Sequence, residues 1–156
     1  MNDEQYTVRK ARLDDLEAIK AIADSNRREL GFVRRAALSE GILRSEVYVG
    51  ELGTELVGFV EYHHRRDGQT TLYHIAVAAK HRMQCVGKKL MQTLASEAIG
   101  CGKRRLVLKC PAELPANGFY QKLGFAILDI EEGKRRFLNV WSLSLRMESL
   151  THGTWR

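Results

Sequence analysis

The sequence predicts a mixed α/β domain with a mostly antiparallel central sheet, one parallel strand pair and about four flanking helices. Three observations carry this. Apolar and polar residues alternate through "EVYVGEL", "ELVGFVEYHH" and "TTLYHIAV", as in half-buried strands linked by short turns. After Val77 the period changes from two to about 3.6, with Val86, Leu90, Leu94 and Ala98 on one face. The next apolar run, "RRLVLKC", is short and continuous, as in a buried strand that lies parallel to its partner after a crossover helix.

Each element follows in order. Tyr6 to Lys10 alternate and form a first strand. "LDDLEAIKAIADSNRREL" places Leu16, Ile19, Ile22 and Ala23 at helical spacing, with Asp14 as N-cap and Glu17 completing a capping box. A second helix covers Ala36 to Leu43, its far end weakened by Gly41. Three strands then form an antiparallel meander, turning at Gly53-Thr54 and at Asp67-Gly68. The Asp-Gly pair predicts a type I′ turn, in which both central residues take positive φ. Gly100 and Gly102 bracket the end of the long helix. "PAELPANGFYQKL" opens on prolines, spaces Phe119 and Leu123 four apart and stops at Gly124, which predicts a loop and one more helix. "FAILDI" and "RFLNVWSLSL" are the last strands, joined across Glu132-Gly133, and "THGTWR" frays. No internal repeat divides the chain, so one domain is expected over residues 1–156, with an ordered core of about 4–148.

Composition narrows the class. With 44% hydrophobic and 28% charged residues, the chain is an ordinary folded protein and not a disordered one. "MNDEQYTVRK" lacks the order of a signal peptide, and no apolar run approaches the roughly 20 residues of a membrane span, so a cytoplasmic protein without a membrane partner is expected. Cys85, Cys101 and Cys110 are odd in number and lack Cys-x-x-Cys spacing, which predicts free thiols and no metal site. A formal net charge of +6 favours anionic partners. The basic clusters "HHRRD", "KHR", "GKK" and "GKRR" come without a zinc-finger, KH or RNP pattern and read as solvated surface, which disfavours nucleic acid without removing it.

The stretch "HIAVAAKHRMQCVGKKLMQTL" runs a strand into a basic turn and then a helix. A helix N-terminus offers unpaired N–H groups and the positive end of the macrodipole, so this is an anion site, with phosphate as the natural guest. Gly87 admits a ligand close to the backbone, and Arg82, Lys88 and Lys89 add charge. Neither a Walker A loop nor a Gly-x-Gly-x-x-Gly fingerprint is present.

These residues resemble the cofactor segment of the GNAT acetyltransferase superfamily. The strand triplet is Ile75-Ala76-Val77, and the Arg/Gln-x-x-Gly-x-Gly/Ala turn is Arg82-Met83-Gln84-Cys85-Val86-Gly87, with Cys85 where the family has its first glycine. "PANGFYQKLGF" is similar to the family's second signature, matched by Ala116, Tyr120, Gly124 and Phe125; Glu113 replaces an asparagine common there, and Asn117 lies nearby. The resemblance implies a GNAT-like fold and an N-acetyltransferase that uses acetyl-CoA as co-substrate, without metal. Its pantetheine arm would insert where the strand ending at Val77 splays from the strand at Leu106 to Lys109. Ile75 N–H would polarise the thioester carbonyl, Val77 would bond the pantetheine amide, and the amides of Gln84 to Lys88 would hold the pyrophosphate. Tyr120 would protonate the leaving thiolate after direct attack by the amine in a ternary complex.

Three residues are candidates for the acceptor's proton: Tyr73, at a position some members use; Glu61, which as a strand carboxylate reads as surface; and His74, which alternation sends to the face opposite Tyr73, into packing; water-mediated deprotonation with Glu61 or Tyr73 involved is expected. Cys110 reads as a small hydrophobe and Trp141 as core. The acceptor is a small-molecule or peptide amine, and family members often form homodimers. A non-catalytic acyl-CoA-binding module and a basic RNA-binding protein are the alternatives.

Overall fold

The computed structural model describes residues 6–82 and 85–146. Among them are seven strands and five α-helices: β1 (Tyr6–Lys10), α1 (Leu16–Ser25), α2 (Arg27–Leu30), α3 (Arg35–Leu43), β2 (Val47–Leu52), β3 (Glu55–His64), β4 (Gln69–Val77), α4 (Val86–Gly100), β5 (Arg105–Pro111), α5 (Ala116–Lys122), β6 (Ala126–Glu132) and β7 (Phe137–Ser144). The strands form one mixed sheet in the order β1-β2-β3-β4-β5-β7-β6. The pair β4–β5 is parallel, while β1–β2, β2–β3, β5–β7 and β6–β7 are antiparallel. This is the mixed α/β architecture that the change of period implies. The expected fraying of "THGTWR" lies outside the described residues.

Two compact units divide the chain: residues 1–63 with 74–94, and residues 64–73 with 95–156. In the first, α1 and α3 contribute Ile19, Ile22, Ala23, Leu38 and Ile42 to a core shared with Val47, Val49, Phe59 and Ala76 of the strands. The hydrophobic spacing of α1 is what turns these side chains inward. Gly58 permits a close approach of backbone, since a Cβ there would stand 3.0 Å from the Ala76 carbonyl oxygen.

In the second unit the parallel ladder joins only Gln69, Thr70 and Thr71 to Arg105, Leu106 and Val107. β5 pairs with β7 along its whole length, from Arg105 opposite Ser144 to Pro111 opposite Leu138. Helices α4 and α5 end in the same device. Gly102 (φ 77°) and Gly124 (φ 97°) occupy the left-handed position, and the bonds Lys103 N–H to Ala98 and Phe125 N–H to Tyr120 close the last turns, both 6→1 links of a Schellman motif.

Three local expectations are corrected. The first helix is two, because Asn26 turns its side-chain amide back onto the Ile22 carbonyl (2.8 Å) and takes a non-helical backbone (φ −112°, ψ 26°), the competition that makes Asn a poor interior helix residue. The residue that precedes α1 is Asp15 and not Asp14, and its carboxylate makes no cap bond to that helix: it reaches back to accept the Arg12 N–H at 2.7 Å and two Arg9 bonds at 2.8 and 2.9 Å, while Glu17 pairs with Arg35 at 3.0 Å. The β3–β4 loop is not type I′. Only Gly68 of the pair has positive φ (84°), and Arg65 N–H closes a longer loop on the Gln69 carbonyl at 2.8 Å. Asp67 instead holds Arg65 (3.1 Å) and caps the Gln69 N–H (3.3 Å).

Candidate active site

β4 leaves its strand through Ala78, whose N–H bonds the Val57 carbonyl at 2.8 Å, and a 3₁₀ turn over Ala79–His81. His81 is 8% exposed and holds Glu55 at 3.1 Å, which fixes the turn. Arg82 is anchored as well: its guanidinium donates to Oδ1 of Asn26, a side chain only 5% exposed. Met83 and Gln84 lie outside the described residues. Cys85 then adopts φ 69°, a left-handed backbone rare for an L residue other than Asn or Asp. Its carbonyl accepts the Lys89 N–H at 3.0 Å, the first helical bond of α4. The amides of Val86, Gly87 and Lys88 precede that bond, so they have no partner within the helix. Lys89 donates to the Tyr6 carbonyl, whereas Lys88 makes no ion pair or hydrogen bond among the described residues. The result is a positive helix end whose first donors have no partner within the helix, with the Lys88 cation beside it.

On β4 itself, Ala76 is buried in the core, and Ile75 and Val77 are half-buried. Glu61 is 4% exposed, which corrects the expectation of a surface carboxylate. The reason is the run Val57–Tyr62, buried at every residue: β3 lies inside the sheet with both faces covered. Oε1 of Glu61 meets Nδ1 of His74 at 2.7 Å. His74 is thus not a packed core residue, since its side chain keeps 26% of its exposure. Tyr73 is 49% exposed and makes no polar contact among the described residues. Geometry therefore joins Glu61 to His74, a pairing across 13 residues of sequence that no periodicity signals.

The second unit holds Tyr120, Asn117 and Cys110. Tyr120 is 7% exposed and lies edge-on to Phe119 and Phe125. Its hydroxyl has no hydrogen-bond partner among the described residues. Burial, and then the neighbouring Cys110, push its ionisation well above the ordinary phenol range, so it stays protonated. Asn117 is fully engaged by the protein. Its Nδ2 donates to the carbonyls of Leu114 (2.7 Å) and Pro111 (2.9 Å), and its Oδ1 accepts from Trp141 Nε1 (2.8 Å) and Asn139 (3.1 Å). The side chain is a bracket between the α5 entry and β7, so any help it gives a ligand is by positioning. Trp141, 5% exposed, is core. Burial lifts the Cys110 thiol to about 11, with Glu113 adding to the effect, which makes it an inert small hydrophobe. Glu113 points elsewhere, onto Arg136 at 3.0 Å.

A family model described as "Acetyltransferase (GNAT) family" matches residues 9–125, which include the strand triplet, the basic turn and Tyr120. The chain belongs to the GNAT acetyltransferase family. Solved structures share the GNAT fold at low identity. Ard1 from Thermoplasma volcanium superposes with a TM-score of 0.82 at 19% identity, over 91% of this chain and 99% of that one. The ribosomal-protein-S18-alanine N-acetyltransferase from Escherichia coli gives 0.77 at 21%, over 91% and 95%. The protein yncA from Salmonella typhimurium, solved with its cofactor acetyl-CoA, gives 0.74 at 22%, over 92% and 95%. No curated protein matches the chain by sequence. No helix among the described residues is long and apolar enough to cross a membrane.

Proposed function

We propose that this GNAT protein transfers the acetyl group of acetyl-CoA to a primary amine by direct attack in a ternary complex. The observation that carries the reading is the backbone at Cys85. The family's glycine is gone, yet the chain keeps a glycine's positive φ there, and the next three amides stand at the start of α4 without partners within the helix. A diphosphate is the guest that such donors suit, with Lys88 as counter-charge. The E. coli relative acts on the amine of an alanine, and yncA was solved with acetyl-CoA; both fit an amine acceptor and this co-substrate.

In this reading the pantetheine arm lies along Ile75–Val77 as an added strand, bonded to backbone groups. Ile75 N–H holds the thioester oxygen as negative charge develops on it. Tyr120, protonated and without a competing bond among the described residues, gives its proton to the departing sulfur. Glu61 belongs to the path of the acceptor's proton. Acetyl-CoA binding measured by calorimetry, followed by thiol release with a panel of amines, tests the reading. Binding with turnover is expected. Binding without turnover marks an acyl-CoA-binding module, and no binding refutes the assignment.

A further inference from the structure

We propose that His74 is the general base of the transfer, with Glu61 acting through it as a positioning residue; this rests on the acetyltransferase reading above. A carboxylate as buried as Glu61 requires a donor, and His74 supplies one at 2.7 Å. The pair is built. α3 presents Gly41, where a Cβ would come within 3.5 Å of Glu61 Oε2 and 3.2 Å of Val47, so the glycine leaves room beside the carboxylate on that side. The other buried glutamate of this unit, Glu46, is engaged by His63 (2.8 Å) and Arg44 (3.1 Å).

A carboxylate only accepts, so the hydrogen between the two sits on Nδ1, and in the neutral ring the lone pair is then on Nε2. Nε2 of His74 has no partner among the described residues, and the side chain is 26% exposed, so an amine or a water can reach it. His63 shares the pattern, with Nδ1 on Glu46 at 2.8 Å, but it is His74 that adjoins Ile75 in the chain; the remaining described histidines differ. His64 has both nitrogens engaged, by Thr70 (2.7 Å) and Glu97 (2.8 Å), and His81 lies between Tyr6 (3.5 Å) and Glu55 (3.1 Å). His74 also adjoins Ile75, whose N–H is assigned to the thioester carbonyl, and neighbouring strand residues are about 3.3 Å apart along the chain.

The step balances as follows. Nε2 takes one proton from the acceptor ammonium and frees the nitrogen lone pair. The C–N bond forms at the thioester carbonyl carbon, the C–S bond breaks, and the sulfur leaves with its electron pair. The second proton lost by nitrogen replaces the one the sulfur gains from its acid, so one proton ends on sulfur and one passes to solvent through His74.

The test measures acetyl-CoA binding and thiol release for the wild type, His74→Gln, His74→Ala, Glu61→Gln and the control His63→Gln. The acceptors are spermidine, a lysine peptide, an alanine-initiated peptide and water alone. His74→Gln should lower kcat by about 100-fold or more while acetyl-CoA affinity stays within about twofold. Glu61→Gln should lower kcat by about tenfold or more, as loss of an orienting partner does. Added imidazole should raise the rate of His74→Ala, which a packing role would not allow, and His63→Gln should match the wild type. Wild-type kcat in His74→Gln overturns the assignment and leaves the acetyltransferase reading standing, as does a slow His74→Ala that imidazole fails to rescue. A wild type that binds acetyl-CoA but acetylates neither amine nor water also overturns it, and one that does not bind acetyl-CoA overturns both readings.

Discussion

Replacing Tyr120 by phenylalanine separates catalysis from stability, because the two should move in opposite directions. The ring is 7% exposed and its contacts with Phe119 and Phe125 survive the change. What goes is a buried hydroxyl that finds no partner among the described residues, and such a group costs about 1–3 kcal/mol. The variant should therefore gain about 1 kcal/mol, or roughly 2–4 °C in melting temperature for a chain of this size. Turnover should fall by about 100-fold, equivalent to about 2.7 kcal/mol of barrier, with acetyl-CoA affinity retained.

Alkaline behaviour gives a further check. Burial raises the folded phenol above its ordinary value of 10.0, so the folded state keeps this proton to higher pH than the unfolded chain. The associated stability is complete below about pH 10 and is lost as pH rises toward the folded value; Tyr120→Phe should lack that loss. Calorimetric melting and steady-state thiol release measure both halves. Unchanged kcat would remove Tyr120 from proton transfer. A less stable variant would mean that the hydroxyl is well satisfied.

Other substitutions test the scaffold. Cys85→Gly removes the positive-φ strain of an L residue, about 1 kcal/mol, and should bind acetyl-CoA at least as tightly in calorimetry; weaker binding would contradict the loop reading. Gly58→Ala places a Cβ 3.0 Å from the Ala76 carbonyl and 3.3 Å from Leu90 and Val86, so the urea midpoint should fall by the equivalent of about 1–3 kcal/mol. An unchanged midpoint would show that β4 yields freely there. Asp15→Asn disrupts the Arg9 pair and should cost about 2 kcal/mol at neutral pH. Hydrogen bonding to Arg9 holds the Asp15 carboxyl below its usual range, so its stabilisation is present above about pH 4 and fades as pH falls through the folded value. In urea titrations the gap between variant and wild type should be full at neutral pH and narrow progressively as pH falls below about 4, and a constant gap would refute the pair's role.

The sheet and the long helix were legible because their signals are local. Alternation defines the meander strands, the 3.6 period turns Val86, Leu90 and Leu94 inward, and the basic turn falls between them. The candidate site is read from sequence most directly where it is backbone, because the triplet at Ile75 and the turn before α4 are contiguous in sequence. It was not legible where it depends on register. Glu61 read as surface because alternation presumes one wet face, and β3 has none between Val57 and Tyr62. Its union with His74 and the bracket that Asn117 makes with Asn139 and Trp141 join residues 13, 22 and 24 positions apart. Neither propensity nor period encodes such contacts. The break at Asn26 escaped for a related reason: the apolar period runs past it, while one side-chain bond to Ile22 ends the helix.

The most direct test of the account is an amide NMR titration with acetyl-CoA. Signals of Ile75, Ala76 and Val77 and of Val86, Gly87 and Lys88 should shift together and saturate with one affinity, while those of Ile127 and Ile130 on β6 stay fixed. If the strand and helix-start amides remain in place at millimolar acetyl-CoA, the chain does not hold the co-substrate where this account puts it.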